Sequence, residues 1–451
     1  MQTLNLCRAG PARTLIAAAV LLAAGAASAQ SATEAALAAR LDQLAAELAA
    51  VKAQLTTLQQ QRATPAAAVA GTAAAPPAGA PAAAGAMAMA MAMVPEAAPA
   101  TATGSATLIT SYGEINVNRP VRASQNAQAD VRRFVLGYQH RFDDKTKVVA
   151  ELELEHAVSS ATDAGEVALE QAYVERQLTP SLALRAGLFL LPVGLLNENH
   201  EPTAFYGVER NFVETAIIPS TWREGGVQLV GTYDNGLTVQ AGVTTSFDLG
   251  KWDATSTEGR ASPLGAIHQE MALAKSHDLA VFGALNWRGV PGLLLGGSVF
   301  TGNATQAQAS TQARITLWDA HARWTPGRWD LSTLYTRGTI SNTTALNTPL
   351  VGNPTLIPKS FDGFYVQGAY RLWSRGDLAL SPFVRWERFN TASAYADLGP
   401  GLTPVAGPAE RVTTLGANFL ISQGVVLKAD YQRFRESADM NRVNLGLGWS
   451  F

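Results

Sequence analysis

The sequence predicts an all-β fold: a closed 16-stranded antiparallel transmembrane β-barrel, preceded by a signal peptide, a short α-helical coiled coil and an Ala/Pro-rich linker. Three observations lead there. From Ser105 to Phe451 the chain falls into short runs that alternate apolar and polar residues, the period of a strand with two different faces. Short turns and long loops alternate between those runs. No segment beyond the N-terminal apolar run reaches the ~18 consecutive apolar residues of a helical span, so a membrane could be crossed only by strands.

The N-terminus is processed sequence. Arg8 and Arg13 lead into LIAAAVLLAAGAA, which closes on Ala27-Ser28-Ala29, a secretory signal peptide over residues 1–29. The single cysteine, Cys7, precedes the apolar run. The exported chain therefore offers no disulfide, thiolate metal site or thiol nucleophile. A net charge of -2 gives no footprint for nucleic acid.

Residues 30–62 carry Leu37, Leu41, Leu44, Leu48, Val51, Leu55 and Leu58 at alternating spacings of 4 and 3. That is an a/d seam, and leucine at its a positions leans toward an assembly larger than a dimer, such as a homotrimer. The competing reading is a lone amphipathic helix. Residues 63–104 are almost wholly Ala, Pro, Gly and Thr and read as a flexible linker. Within it Met87, Met89, Met91 and Met93 could offer thioethers to copper(I), but no His or Cys lies nearby, which favours low-complexity sequence.

Residues 105–451 yield sixteen candidate strands, from 106–118 and 130–142 through to 425–435 and 442–451. The connections at 143–146, 179–181, 235–236, 289–292, 325–328, 374–377 and 422–424 are short and the others long. An outer-membrane barrel has short periplasmic turns and longer extracellular loops, whereas a sandwich has no reason to sort them. An even strand number returns both ends of the barrel to the periplasm, where the coiled coil would sit. Alternation turns Val443, Leu445, Leu447, Trp449 and Phe451 outward, and likewise Phe134, Leu136, Tyr138 and Phe142, then Leu182, Leu184, Ala186, Leu188 and Leu190. Trp287, Trp324, Trp329 and Trp449 lie on that outward parity beside short turns, as an interfacial girdle requires. Trp373 is out of phase. At the opposite rim Arg337, Arg388, Arg411, Arg433 and Arg435 face outward, placed either for solvation or for phosphates of lipopolysaccharide and other outer-membrane lipids.

The segments RAGLFLLPVGL from Arg185, FYGVERNFVE from Phe205 and REGGVQLVG from Arg223, with the C-terminal LGLGWSF, resemble the phosphate-selective porin O and P family of Gram-negative outer membranes. The resemblance covers about residues 105–451. It implies a trimeric sixteen-stranded channel for small-molecule solutes whose third extracellular loop, here about residues 192–222, folds into the pore.

That loop and its borders supply the candidate constriction: Glu198, His200, Glu201, Glu209, Arg210, Glu214, Arg223 and Glu224. Inward parity supplies the lumen wall, with Arg133, Arg141, Lys147, Arg185, Arg323, Arg371, Arg385, Lys428 and Arg442 against Glu151, Glu153, Glu155, Glu175, Asp319, Asp330, Glu387 and Asp430. The near balance argues for a mixed, transverse field rather than an anion-attracting ladder. The acidic row of ELELEH, Glu151 to Glu155, reads as pore wall ahead of a calcium site. Neither G-x-S-x-G nor H-E-x-x-H occurs, so catalysis, a cofactor and a resident metal are not expected. Two readings compete with a channel. One is a structural or adhesin-like barrel that links membrane and periplasm through the coiled coil. The other is a barrel hydrolase using Glu198, Glu201 or His200.

Overall fold

A computed structural model describes residues 106–451; the signal peptide, coiled coil and linker lie outside the described residues. The strands are β1 (Ala106–Pro120), β2 (Gln128–Arg141), β3 (Thr146–Glu155), β4 (Glu166–Thr179), β5 (Leu182–Leu190), β6 (Arg223–Thr232), β7 (Leu237–Thr245), β8 (Leu279–Trp287) and β9 (Leu293–Asn303). They continue as β10 (Arg314–Trp324), β11 (Trp329–Ile340), β12 (Ser360–Tyr370), β13 (Trp373–Arg375), β14 (Leu378–Ala394), β15 (Glu410–Ser422), β16 (Val425–Phe434) and β17 (Arg442–Ser450). Each pairs antiparallel with its sequence neighbour, except that β12 and β13 both pair with β14, and β1 pairs with β17 from Tyr112↔Ser450 to Pro120↔Arg442, which closes the sheet. Closure leaves no edge whose amide groups would meet hydrocarbon.

β12 and β13 are two pieces of one stave, so the barrel has the sixteen staves that the alternation predicts. Ala369 faces Phe383 while Trp373 faces Leu380, so one extra residue is inserted on the β12 side. Such a bulge inverts the parity beyond it. Trp373 is thereby returned to the outer face, 43% exposed, and its phase error in the sequence marks the bulge.

The outward band holds as expected at Phe134, Leu136, Tyr138, Val443 and Leu445, all at least 40% exposed. Two positions differ. Leu188 and Leu190 are buried, because the loop between β7 and β8 returns over this part of the outer wall and sets Met271 against Gly225, the ladder partner of Leu188.

The inner face departs further from simple alternation. On β8 to β12 it is apolar at the long-loop end: Phe282, Phe300, Ile315, Leu334 and Phe361 are buried there. The third long loop, 191–222, and the part of the fourth from Phe247 to Ile267 fold inward and pack on this wall. Trp222 lies 5.1 Å from Phe247 and 4.7 Å from Phe300 by ring centroids, and Ile217, Leu264 and Ile267 complete the cluster. Each fully buried large apolar side chain contributes ~1.5–3 kcal/mol, so this inner core holds both loops inside the barrel. A strand apolar on both faces is what a sequence reader meets when a loop, rather than water, fills one side.

Candidate pore constriction

Loop 191–222 is tied first to itself. Asn197 donates to the carbonyls of Leu191 and Trp222 at 2.7 and 2.8 Å and accepts from the Trp222 amide at 2.7 Å, pinning both ends of the loop together. Glu214 accepts from the amides of Leu195 and Leu196 at 2.6 and 2.8 Å. Gly194 permits that approach. Its φ is +72°, and a Cβ there would strike the Glu214 carboxylate.

From this base the loop descends through the lumen and meets the wall on almost every side. Gly194 N donates to Asp319 on β10, Gln240 on β7 to Glu198, and Tyr365 on β12 to Glu214, at 3.2, 3.0 and 3.0 Å. Thr203 bonds Ser450 of β17 at 2.7 Å. The Phe205 carbonyl accepts from Lys428 on β16 at 3.1 Å, and the ammonium lies 3.6 Å from the centroid of the Phe205 ring. Val208 N donates to Asp430 on β16 and Phe212 N to Glu387 on β14, each at 2.6 Å. These are charge-assisted bonds to backbone amides, short and strong for their type. Glu209 accepts from Asn118 of β1 at 2.9 Å, while Arg210 bonds Ser220, Thr221 and the His200 carbonyl. Glu201 sits beside this ring, half-buried, its carbonyl accepting from the Ala204 amide.

Two expected members of the constriction are placed differently. Arg223 begins β6 on the parity of the exposed Val227 and Leu229, which is the outer face, where it pairs with Glu270 at 3.1 Å. Sequence spacing put it beside the loop, but the pleat turns it away from the lumen. Glu224 does point inward, yet it is fully buried behind the loop, bonded to Thr245 at 2.5 Å and to Trp222 at 3.4 Å.

Five basic wall residues, Arg133, Lys147, Arg185, Arg323 and Arg385, pair with carboxylates. Arg133 meets Glu114, Glu153 and Glu155 at 2.9, 2.9 and 3.6 Å. Glu175 bridges Lys147 and Arg185 at 3.0 and 2.7 Å. Arg323 binds Asp330 at 2.6 Å and Arg385 binds Glu387 at 2.9 Å. Asp319 holds His321 at 2.6 Å, Asp430 accepts from Asn444 at 2.6 Å, and Glu151 accepts from Gln171 at 2.6 Å. Arg141 stands half-buried at the short-turn end of β2, and Arg371 lies in the break between β12 and β13. Between loop and wall a cavity of about 30 Å³ is lined by Leu195, Tyr206, Asn211, Arg323, Tyr365 and Arg385, among others.

Glu170 is a lumen neighbour that alternation misses, while Tyr112 and Glu114 lie on the regular inward parity of β1 and join the same cluster. Gln171 pairs with Glu151 and Leu169 with Leu152, so Glu170 is the extra residue of a bulge and turns inward where strict alternation turns it to lipid. The signal was present: Val167 and Leu169 are exposed on odd positions and Val174 on an even one, a change of phase within one strand. Glu170 accepts from the Tyr112 hydroxyl at 2.7 Å, and that hydroxyl lies 2.7 Å from His200 Nε2. His200 Nδ1 donates to the Asn197 carbonyl at 2.9 Å. With both nitrogens protonated, His200 donates to Tyr112, which donates to Glu170.

Burial disfavours the charged His200 ring, but the Glu170 carboxylate outweighs it, and the imidazole is held above its usual range against an opposing Arg210 and a supporting Glu201. A raised folded value contributes stability that is complete below the unfolded imidazole pKa of ~6.5 and fades as pH rises through the folded one. We expect His200→Gln to lower the melting temperature most in acid, with the deficit shrinking on the alkaline side. A deficit that is constant or widens with rising pH would contradict this linkage.

No family model matches the chain. An uncharacterized protein of Aquifex aeolicus (strain VF5) is 29% identical over 356 residues, covering 76% of this chain and 79% of that protein. Among solved structures, Salmonella typhi OmpF in complex with daunomycin aligns with a TM-score of 0.54 at 10% identity, over 76% of this chain and 97% of that one. The outer membrane channel DcaP of Acinetobacter baumannii aligns at 0.51 and 13% identity, over 77% and 98%. At such identities the likeness is one of fold: the chain has the closed sixteen-stranded barrel of outer-membrane porins.

Proposed function

We propose that this protein is an outer-membrane porin, a water-filled channel for passive diffusion of small polar or ionic solutes, narrowed by the loop at 191–222. The observation that carries the reading is that this third long loop leaves the rim and bonds to the lumen wall on β1, β7, β10, β12, β14, β16 and β17. A loop so placed sets the pore's cross-section, and the charges it meets set its selectivity. Glu198, His200, Glu201, Glu209, Arg210 and Glu214 form the constriction in this proposal, facing Arg133, Arg185, Arg323 and Arg385.

The pairing of Arg133, Lys147, Arg185, Arg323 and Arg385 with carboxylates favours weak selectivity over the phosphate preference of the porin O and P family, whose architecture we carry over without its substrate. The sidedness we propose puts long loops outside and short turns in the periplasm, with residues 30–62 forming a periplasmic seam that supports a homotrimer and residues 1–29 removed on export. Catalysis is not part of the proposal. Glu198 bonds Gln240, and His200 bonds Tyr112 and Asn197, so both serve the loop's anchorage in this reading. Liposome swelling in small sugars tests the reading: purified protein should admit a pentose faster than a disaccharide. Impermeability to both would remove it.

A further inference from the structure

Outside the lumen, the barrel carries an arginine cluster that channel function does not use. On the outer face at the long-loop end, Arg388 of β14 lies directly opposite Arg411 of β15, and Arg435, just past β16, continues the row by donating its amide to the Arg411 carbonyl at 3.0 Å. Arg433 stands one outward position below Arg435, across from Thr413. Like charges directly opposite on adjacent strands are destabilising, so a row of them asks for an anion.

The protein supplies too little of one. Asp362 takes Arg388 at 2.8 Å, and Glu436 reaches Arg435 only at 3.9 Å with both side chains exposed. Among the described residues no ion pair holds Arg411. Glu410 does not neutralise the row from outside but organises it from behind. Its carboxylate accepts the amides of Arg411, Arg435, Glu436 and Ser437 at 2.9–3.0 Å, which fixes the backbone that presents the guanidinium groups.

Immediately below, on the same face, come Trp386, Phe364 and Tyr431, with Trp386 and Phe364 in edge contact at 6.2 Å. Aromatic rings beneath cations mark the level where acyl chains end and headgroups begin. The position excludes a soluble anion as the natural occupant, since the cluster faces sideways into the leaflet rather than into the pore.

We propose that Arg388, Arg411, Arg433 and Arg435 form a binding site for the phosphate groups of lipopolysaccharide. Guanidinium forks match phosphate oxygens, and an interfacial cation costs little where it would be expensive at mid-bilayer. The inference rests on the proposed outer-membrane orientation, with long loops at the outer leaflet.

The test uses the full chain, purified and stripped of lipid in detergent, with rough lipopolysaccharide, its dephosphorylated form and phosphatidylglycerol added separately. Binding is followed by native mass spectrometry and melting temperature, for wild type and for the double variant Arg411→Gln/Arg435→Gln. We expect lipopolysaccharide to bind wild type and raise its melting temperature, and the double variant to bind it at least about tenfold more weakly, the scale of one lost hydrogen bond to a charged group. The dephosphorylated form should bind both proteins alike and weakly. Equal binding of lipopolysaccharide by both proteins, or phosphatidylglycerol binding wild type as tightly, would overturn the proposal. Conductance of the same variant separates the two readings: a lost lipid effect with unchanged conductance bears on the site alone, and no conductance from either protein bears on the channel.

Discussion

Replacing Asp430 and Glu387 together by alanine is expected to raise single-channel conductance severalfold and to make the open current noisier. Each carboxylate holds one amide of the constriction loop, Val208 and Phe212 respectively, at 2.6 Å, the first bond buried and the second partly buried. A buried amide left without its acceptor costs ~1–3 kcal/mol, so the seated conformation loses a few kcal/mol against a loosened one. The inner apolar core around Trp222 is untouched, and the base of the loop remains pinned by Asn197. Glu387 also pairs with the buried Arg385 at 2.9 Å, so the variant loses wall stability as well, and the closed barrel should still assemble with the loop tip loosened. Conductance in planar bilayers checks this, together with the folded band in unheated gels; an unchanged current in a folded variant would show that the loop does not limit the pore.

Arg133→Met should give the largest loss of stability among wall substitutions. Arg133 lies between Glu114, Glu153 and Glu155, and its side chain is 6% exposed. Methionine fills much of the volume but leaves carboxylates facing one another in a low-dielectric wall. Breaking a buried ion pair from one side costs ~3–5 kcal/mol, whereas removing all partners together is often nearly neutral. The denaturation midpoint in detergent should fall sharply for the single variant and recover in Arg133→Met/Glu114→Gln/Glu153→Gln. A single variant that melts with wild type would mean that the cluster is hydrated and screened.

Most of the barrel was legible in the sequence because the outer face obeys one rule. Lipid demands apolar side chains at alternate positions, so strands such as 442–450 declare both their length and their facing. The inner face obeys no single rule. Where it meets water and charge, as at Arg133 and Glu153, alternation finds it. Where it meets the folded-in loops, as at Phe300 and Ile315, the strand becomes apolar on both sides and the alternation fades. Bulges did the rest of the damage. One at Glu170 hid the acid that partners Tyr112 and His200, and one between β12 and β13 displaced Trp373 by a residue.

The loop at 191–222 was identifiable as unusual from its charge density, and its position as the third long connection followed from counting. Which of its residues meet the wall was legible in part: Glu198, Glu209 and Glu214 do so through Gln240, Asn118 and Tyr365, whereas Gly194 and the backbone amides of Val208 and Phe212 anchor the loop without a charge that would draw attention in a sequence. Arg223 drew attention for its charge and faces outward. Pleat phase, set at the first residue of β6, decides that, and a loop boundary read from sequence is uncertain by more than the one residue that inverts it.

The central claim is that a loop-narrowed lumen with paired charges conducts small solutes with little regard to the sign of their charge. Reversal potential across a planar bilayer in a salt gradient tests it most directly, on wild type and on the Asp430→Ala/Glu387→Ala variant. We predict discrete conducting steps with a reversal potential close to zero for wild type, and larger steps for the variant. Absence of conductance in both proteins, or a reversal potential near the limit for a single ion, would contradict the account.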